Sequence, residues 1–492
     1  VPNADRKPLK ILFLAAEAAP LVKVGGLADV AGALPAELRK LGHDVRVILP
    51  LQPGLRGKVA GAEPAFRPSV PARSSAMQAE AYAIDLNGVP AYLIDGPPLR
   101  ASGSVYHADS GRDAPKYVFF SLAALELARM MDWKPDLVHT NDWHTAAAGL
   151  WLAGPGRRDR FYKDMRSILT IHNLPYLGQD AGWALAQFSL SVPDQQPAAG
   201  RFDALPGWAF TALLPLGIAA ADRIVAVSLS YAEEILTPAF GAGLDRYLGT
   251  QADRISGILN GLDSAVWNPA ADPHLIRTFD PTSLALRKEN KAALQKRMHL
   301  DPDPALPLIG MVGRLSEQKG IDLALPALGC WCGRGNQAAI LGRGDPRLEQ
   351  QCHAFAARHS GRAAAEIGFD EELASLMYGG TDFLLVPSRY EPCGISQMIA
   401  MRYGSVPIVR AVGGLKDTVR DLAGPEGTGL VFAEASAPAV ALALGRAEEI
   451  VTQGERMAAA QANGMAKDFE WRQAAEEYLA VYRRALSAQP PE

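Results

Sequence analysis

Four stretches of the 492-residue sequence combine charged side chains with glycines or strand ends in a way that suits an anionic, hydroxyl-bearing ligand. The most concentrated is Pro387 to Val419, PSRYEPCGISQMIAMRYGSVPIVRAVGGLKDTV. There the apolar run Phe383 to Val386 leads into a polar loop with Glu391 and Gly394, and a second run, Val406 to Val409, leads to Gly413-Gly414. Glycines that open helices leave backbone N–H groups available and let a ligand come close, which suits phosphates and sugar hydroxyls. Glu391 adds a carboxylate to the same mouth. One such loop reads equally well as a helix cap and a turn; two in succession favour a site. Near the N-terminus, Lys23 stands beside Gly25-Gly26, where an ammonium would reinforce the positive end of a helix dipole, although surface lysines near turns are common. In GRLSEQKG, Arg314 and Lys319 share one loop. Two fixed cations can neutralise a diphosphate, the arginine through paired hydrogen bonds, while a solvent-facing basic loop is the alternative. His172, at the end of the run Ser167 to Ile171, is either a site residue or a histidine bonded to nearby backbone.

The elements that must hold these groups read as alternating strands and helices. Lys10 to Ala15, a helix from Leu27 to Leu41 and Val45 to Leu49 form a βαβ unit, whose crossover should be right-handed. Gln78 to Ile94 reads as a hairpin turning at Asn87-Gly88, and Tyr117 to Met131 as a buried helix. Asp136 to His139 is a strand that runs into the polar stretch Thr140 to His144. Arg223 to Ser228 and Ile255 to Asp263 supply further strands. A hinge is expected near this last strand, since the stretch that follows, Trp267 to Ser283, is Pro-rich and breaks the periodicity. Arg287 to Met298 reads as a basic amphipathic helix with a solvated face. Leu308 to Val312, Gln337 to Gly344, Phe383 to Val386, Val406 to Val409 and Thr428 to Phe432 make a second set of strands, and Asp468 to Leu486 a terminal amphipathic helix. The pattern is α/β, with ligand loops at the carboxyl ends of parallel strands.

Composition narrows the class. The length allows two or three domains with large cores. A net charge of −4 argues against a nonspecific polyanion binder and hence against nucleic acid. No run of about 18 apolar residues is present to span a membrane. No signal-peptide core stands at the start, so a cytoplasmic location is expected, although a chain beginning at Val1 can have been processed. The four cysteines, Cys330, Cys332, Cys352 and Cys393, make neither a disulfide scaffold nor a zinc-finger spacing.

Taken together, the motifs resemble those of the bacterial glycogen synthase and plant starch synthase family. The carriers are KVGGLADV, NDWHTA, TIHNLPYLGQ, GRLSEQKG and the E-P-C-G segment, in family order over nearly the whole chain. The resemblance implies two facing Rossmann-like domains of the GT-B type with a deep interdomain cleft. The expected division is 1–258, completed by a C-terminal helix 468–492, on the glucan acceptor side, and 259–467 on the nucleotide-sugar donor side. It implies a retaining hexosyltransferase that moves glucose from ADP-glucose to the nonreducing 4-hydroxyl of glycogen or another α-1,4-glucan. By the same resemblance Lys23, Arg314 and Lys319 bind donor phosphates, joined by Gly25, Gly26, Gly413 and Gly414. Glu391, His172 and Asp142 grip the transferred glucose, and Cys393, Gly394, Ile395 and Ser396 line its pocket. Glu17, Asp29, Trp143 and Asn173 fall to the glucan or sugar, with Trp143 in a stacking role. No DxD-like element stands out, so neither metal nor cofactor is expected. Val24 and Val412 replace the family's usual threonines and keep UDP-glucose or another donor open. Divergence between residues 181 and 216 leaves acceptor recognition open, and with it a catalytically idle glucan-binding protein.

Overall fold

The computed structural model describes residues 7–192 and 198–487, and the chain divides into two compact units. The first runs to Gly261 and takes in the chain again from Trp471; the second is Leu262–Glu470. Among the described residues no helix is long and apolar enough to cross a membrane.

The first unit is built on an eight-stranded sheet in the order Ile255–Gly257, Arg223–Ala226, Arg166–Ile171, Leu137–Asn141, Lys10–Leu14, Asp44–Pro50, Val89–Asp95 and Glu80–Leu86. All neighbours pair parallel except the last two, which form the hairpin expected around Asn87-Gly88. Both turn residues have positive φ, 54° and 80°, the geometry that matches strand twist in a two-residue hairpin. The central strands are buried because helices cover the sheet, among them Gly26–Lys40 and Ser110–Met130, and the polar residues of Leu137–Asn141 are buried with them. Helix Trp471–Ser487 packs against helix Gly26–Lys40 and strand Arg166–Ile171, burying Trp471, Tyr478 and Tyr482. Tyr482 Oη lies 2.7 Å from Nδ1 of the fully buried His139, whose Nε2 meets Thr170 Oγ1 at 2.8 Å. Burial drives the His139 pKa down to about 3, so this polar contact is held by a neutral ring.

The second unit has a fully parallel six-stranded sheet, ordered Ala363–Ile367, Gln337–Gly342, Leu308–Val312, Phe383–Val386, Val406–Arg410 and Leu430–Phe432. From Leu308–Val312 the chain builds outward to one side, then returns and builds outward to the other. Open α/β sheets bind ligands where strand order reverses in this way. Here the reversal lies between Leu308–Val312 and Phe383–Val386, the strands that carry Arg314, Lys319 and Glu391 at their ends. In the first sheet it lies between Lys10–Leu14 and Leu137–Asn141, ahead of Glu17, Lys23 and Asp142.

The chain passes between the units at Gly261, where the break was expected, and the Pro-rich stretch 267–283 that follows lies within the second unit, where Trp267 and Phe279 pack edge-on against Tyr378 and Tyr403. Helix Arg287–Arg297 is amphipathic as expected, with Lys288, Lys296 and Arg297 on its exposed side, but not all of its cations meet solvent. Arg287 is buried and donates to the carbonyls of Tyr403 and Thr381, while Lys291 pairs with Asp382 at 2.6 Å. These two cations serve the strand ends behind the sheet.

Candidate active site

In the first unit, strand Lys10–Leu14 ends in a loop that turns back to the start of helix Gly26–Lys40. Glu17 lies buried in that loop. Its carboxylate accepts the Val24 N–H in a short bond and the Gly25 N–H at 3.2 Å. The N–H of Gly25, expected to be free for a phosphate, is therefore occupied by the protein's own carboxylate, and Glu17 acts here as the clamp of the glycine loop. Lys23 projects from the clamped loop with its ammonium 2.7 Å from Asp29, both partly exposed. Burial pushes the Glu17 carboxyl up to about 7, against the pull of the two N–H groups and of a hydrogen bond from Tyr106.

Tyr106 escaped the sequence reading. It lies in an irregular segment held from below by helix Ser110–Met130. The buried Lys116 donates to the carbonyls of Ser104 and Val105 at 3.0 and 2.8 Å and pairs with Asp113 at 2.8 Å. Asp113 in turn accepts the His107 N–H at 2.7 Å. A buried, fully engaged ion pair thus places Tyr106 against Glu17. No local signal marks it, because the tether comes from Asp113 and Lys116, seven and ten positions away.

Strand Leu137–Asn141 passes into helix Asp142–Ala153 without an intervening loop, so the polar stretch Thr140 to His144 divides between strand and helix. The abrupt turn falls on Asp142, whose φ of +52° is left-handed. Its Oδ1 accepts the backbone N–H groups of His172 and Asn173, at 2.7 and 3.4 Å, from the end of the neighbouring strand. Burial pushes Asp142 up to about 7, with Glu17 adding repulsion. His172 Nε2 lies 2.9 Å from Asn141 Oδ1, and Asn141 Nδ2 donates to the Leu14 carbonyl. The amide oxygen of Asn141 therefore faces the ring, which fixes the proton on Nε2 and leaves the Nδ1 lone pair for a hydroxyl. Burial holds His172 down to about 3, so it works as a neutral ring. Asn141 is thus a further functional residue, visible in NDWHTA but not singled out.

Trp143 departs from the stacking role expected of it. It is buried between Tyr117, 5.1 Å away edge-on, and His144, 4.2 Å away, with the backbone of Gly178 against its ring. Its indole walls the site and offers no open face.

In the second unit three loops interlock. Glu391 is buried, with Oε2 taking the Lys319 ammonium at 2.6 Å and the Ser388 hydroxyl at 2.9 Å. Arg389, next to it, makes a two-pronged pair with Asp322 at 2.7 and 2.7 Å, and its N–H donates to the Gln318 carbonyl. Those bonds stitch the Glu391 loop to the Arg314–Lys319 loop. Gly413-Gly414 closes the third side. A Cβ on Gly413 would stand 1.9 Å from the Glu391 carbonyl oxygen, and one on Gly414 2.0 Å from that of Cys393. The Gly414 N–H donates to Glu391 O at 3.1 Å, so this glycine is needed for close approach of backbone to backbone; its N–H is not free for a ligand. A small cavity at the sheet's reversal point is lined by Gly313, Arg314, Lys319, Pro387 and Ser396. Arg314, Lys319, Glu391, Cys393, Gly394, Ile395 and Ser396 all belong to this one loop cluster. Lys23, Glu17, Asp29, Asp142, His172 and Asn173 belong to the corresponding cluster of the first unit.

Two family models cover most of the chain: one described as starch synthase catalytic domain over residues 10–250, and glycosyl transferases group 1 over residues 295–464. Glycogen synthase 1 of Methylococcus capsulatus is 39% identical, with 97% of each chain covered. The chain belongs to the glycogen synthase family. The glycogen synthase of Rhodospirillum rubrum is 40% identical over 96% of this chain and 98% of its own. Among solved structures, the catalytic domain of starch synthase IV from Arabidopsis thaliana, bound to ADP and acarbose, superimposes with a TM-score of 0.87 at 29% identity. That match covers 98% of this chain and 100% of the plant one. Sucrose-phosphate synthase of Thermosynechococcus elongatus, at 19% identity and TM-score 0.60, shares the fold. As a glycogen synthase family member the chain is a hexosyltransferase, and its two Rossmann-like units are those of the GT-B glycosyltransferases.

Proposed function

We propose that the enzyme takes glucose from ADP-glucose and adds it, with retention, to the nonreducing 4-hydroxyl of an α-1,4-glucan, and that the two loop clusters supply the groups for it. The observation that carries this reading is the Lys319 to Glu391 contact of 2.6 Å within a cluster that also holds Arg314. A carboxylate whose Oε2 is held by both a cation and a hydroxyl is fixed in place to meet sugar hydroxyls, while the cations beside it are suited to a diphosphate. We assign Arg314 and Lys319, with Lys23, to the charge that develops on the departing ADP, since aimed charges in a low-dielectric site supply the largest single catalytic term. His172, neutral and with its Nδ1 free of the Asn141 contact, accepts a hydroxyl of the transferred glucose. Asp142 fixes the backbone from which His172 and Asn173 project. The basic residues take the place of a metal, so transfer should persist in excess chelator.

Support for ADP-glucose comes from the family and from the ADP in the plant starch synthase IV structure. Val24, half-exposed at the Lys23 loop, and Val412, buried ahead of Gly413, keep UDP-glucose as the second reading. A donor panel with glycogen as acceptor decides. ADP-glucose should be consumed with the highest kcat/KM, and a preference for UDP-glucose would overturn the assignment.

A further inference from the structure

Exposed aromatic rings are few on this protein, and they are not scattered. Among the described residues, the large exposed hydrophobics include five aromatics, and four of them lie between residues 176 and 210: Tyr176 at 49%, Trp183 at 56%, Trp208 at 42% and Phe210 at 37%. The fold draws them together from two segments. Ala181 N–H donates to the Thr211 carbonyl at 2.8 Å, Leu213 N–H to Gly178 at 3.0 Å and Leu214 N–H to Leu177 at 3.0 Å. Residues 177–182 therefore run beside 211–214. A Cβ on Gly182 would stand 3.3 Å from Thr211 Cγ2, which puts Trp183, one residue on, next to the stretch that carries Trp208 and Phe210. Gly243 lies beside the Trp208 ring, whose edge would stand 3.5 Å from a Cβ there.

Within the two segments charge is absent: residues 181–192 and 204–221 contain no Asp, Glu, Lys, Arg or His, with Asp180 and Asp203 standing at their edges. Exposed apolar surface gathered in one place marks an interaction site, and an uncharged aromatic one cannot discriminate a charged partner. It suits a neutral polyol whose ring faces are C–H and whose edges are hydroxyls, because a flat aromatic face covers the first while water keeps the second. The chain that leads to Trp183 starts from the proposed sugar half-site at His172 and Asn173, where Tyr176 N–H donates to the Asn173 carbonyl at 3.2 Å.

We propose that Trp183, Trp208 and Phe210 form a stacking platform on which the body of the α-glucan rests while its end is extended. This deepens the synthase reading and depends on it for the identity of the ligand. The same divergent stretch that breaks the family motif is thereby given a task of its own.

The test is glycogen affinity electrophoresis and steady-state kinetics of the full chain and of the W183A/W208A variant. Loss of two stacking rings should weaken glycogen binding roughly tenfold and raise KM for glycogen by a similar factor. KM and kcat with maltotriose as acceptor should stay unchanged. W183Y/W208Y should recover most of the glycogen affinity. A folded W183A/W208A with parental glycogen affinity would overturn the proposal. If the alanine variant does not fold, oxidation of tryptophans in the native chain takes its place: glycogen should protect Trp183 and Trp208, and no protection overturns it. Sedimentation velocity covers the other occupant, a second copy of this chain; self-association that W183A/W208A abolishes would also overturn the platform. Elongation of maltotriose by the parent tests the synthase reading separately, and retention in the glycogen gel tests the platform.

Discussion

At the residue scale the two carboxyls raised to about 7, Glu17 and Asp142, have a consequence for stability. Each binds its proton more tightly in the folded chain than in the unfolded one, where carboxyls titrate near about 4. The folded state therefore holds more protons between about pH 4 and about pH 7, and stability falls as pH rises through that window. Asp142→Asn keeps an oxygen for the His172 and Asn173 N–H groups and removes one of the two titrations. Its melting temperature should decline less between about pH 5 and about pH 8 than the parent's, and parallel declines would contradict the burial argument. Asp142→Ala should cost about 1 kcal/mol more than Asp142→Asn in denaturant unfolding, because asparagine tolerates a φ of +52° and alanine does not. In the other unit, Glu391→Gln keeps the shape but removes the charge that anchors Lys319 at 2.6 Å. Loss of one aimed electrostatic contact should lower kcat about 100-fold or more with little change in melting temperature. Stopped turnover combined with a collapsed melting temperature would make the pair a structural device instead.

At the scale of elements, the strands were legible because parallel strands covered on both faces read as short apolar runs, and the ligand loops because they follow those runs. Ends shifted by a residue or a few: the strand expected to end at His139 continues to Asn141, and the terminal helix starts at Trp471 rather than Asp468. What stayed hidden was satisfied at a distance. The Lys116 to Asp113 pair that holds Tyr106, and the Arg287 guanidinium on the Tyr403 and Thr381 carbonyls, have no periodicity of their own. A basic helix and a free-standing basic residue look the same in one dimension whether the cation meets water or a strand end. The glycines, by contrast, were visible but for the wrong reason: Gly414 and Gly25 were read as open donors, and both N–H groups are engaged within the protein. Gly414→Ala then makes a direct test of its role in packing. Its Cβ at 2.0 Å from the Cys393 carbonyl oxygen must push the Glu391 loop aside, so overpacking should cost about 1–3 kcal/mol and nearly all transfer activity. Gly249→Ala, with nothing within 4 Å of its Cβ, should leave both unchanged.

At the scale of the whole molecule, the chain enters the second unit after Gly261 and leaves it at Glu470, and the last helix belongs to the first unit. This makes the stability of the first unit depend on residues that follow the second. Trp471, Tyr478, Leu479, Val481 and Tyr482 are all buried there, and Gly261 has no room for a Cβ beside Trp471, 2.6 Å from its Cα. Burying side chains of this size contributes about 1.5–3 kcal/mol each, which in sum reaches the whole margin of about 5–15 kcal/mol that holds a domain folded. Removal of the helix also strips His139 of its bond to Tyr482 and opens a polar ring in an apolar bed. The second unit keeps its own closing contact, Leu262 N–H to Phe469 O at 2.6 Å, which precedes the cut. A chain stopped after Glu470 should therefore show, by hydrogen exchange, lost protection in strands Leu137–Asn141 and Arg166–Ile171 and full protection in Leu308–Val312 and Phe383–Val386. Uniform loss would mean that the two units fold as one cooperative body, and uniform protection that the terminal helix is an accessory to a sheet stable without it.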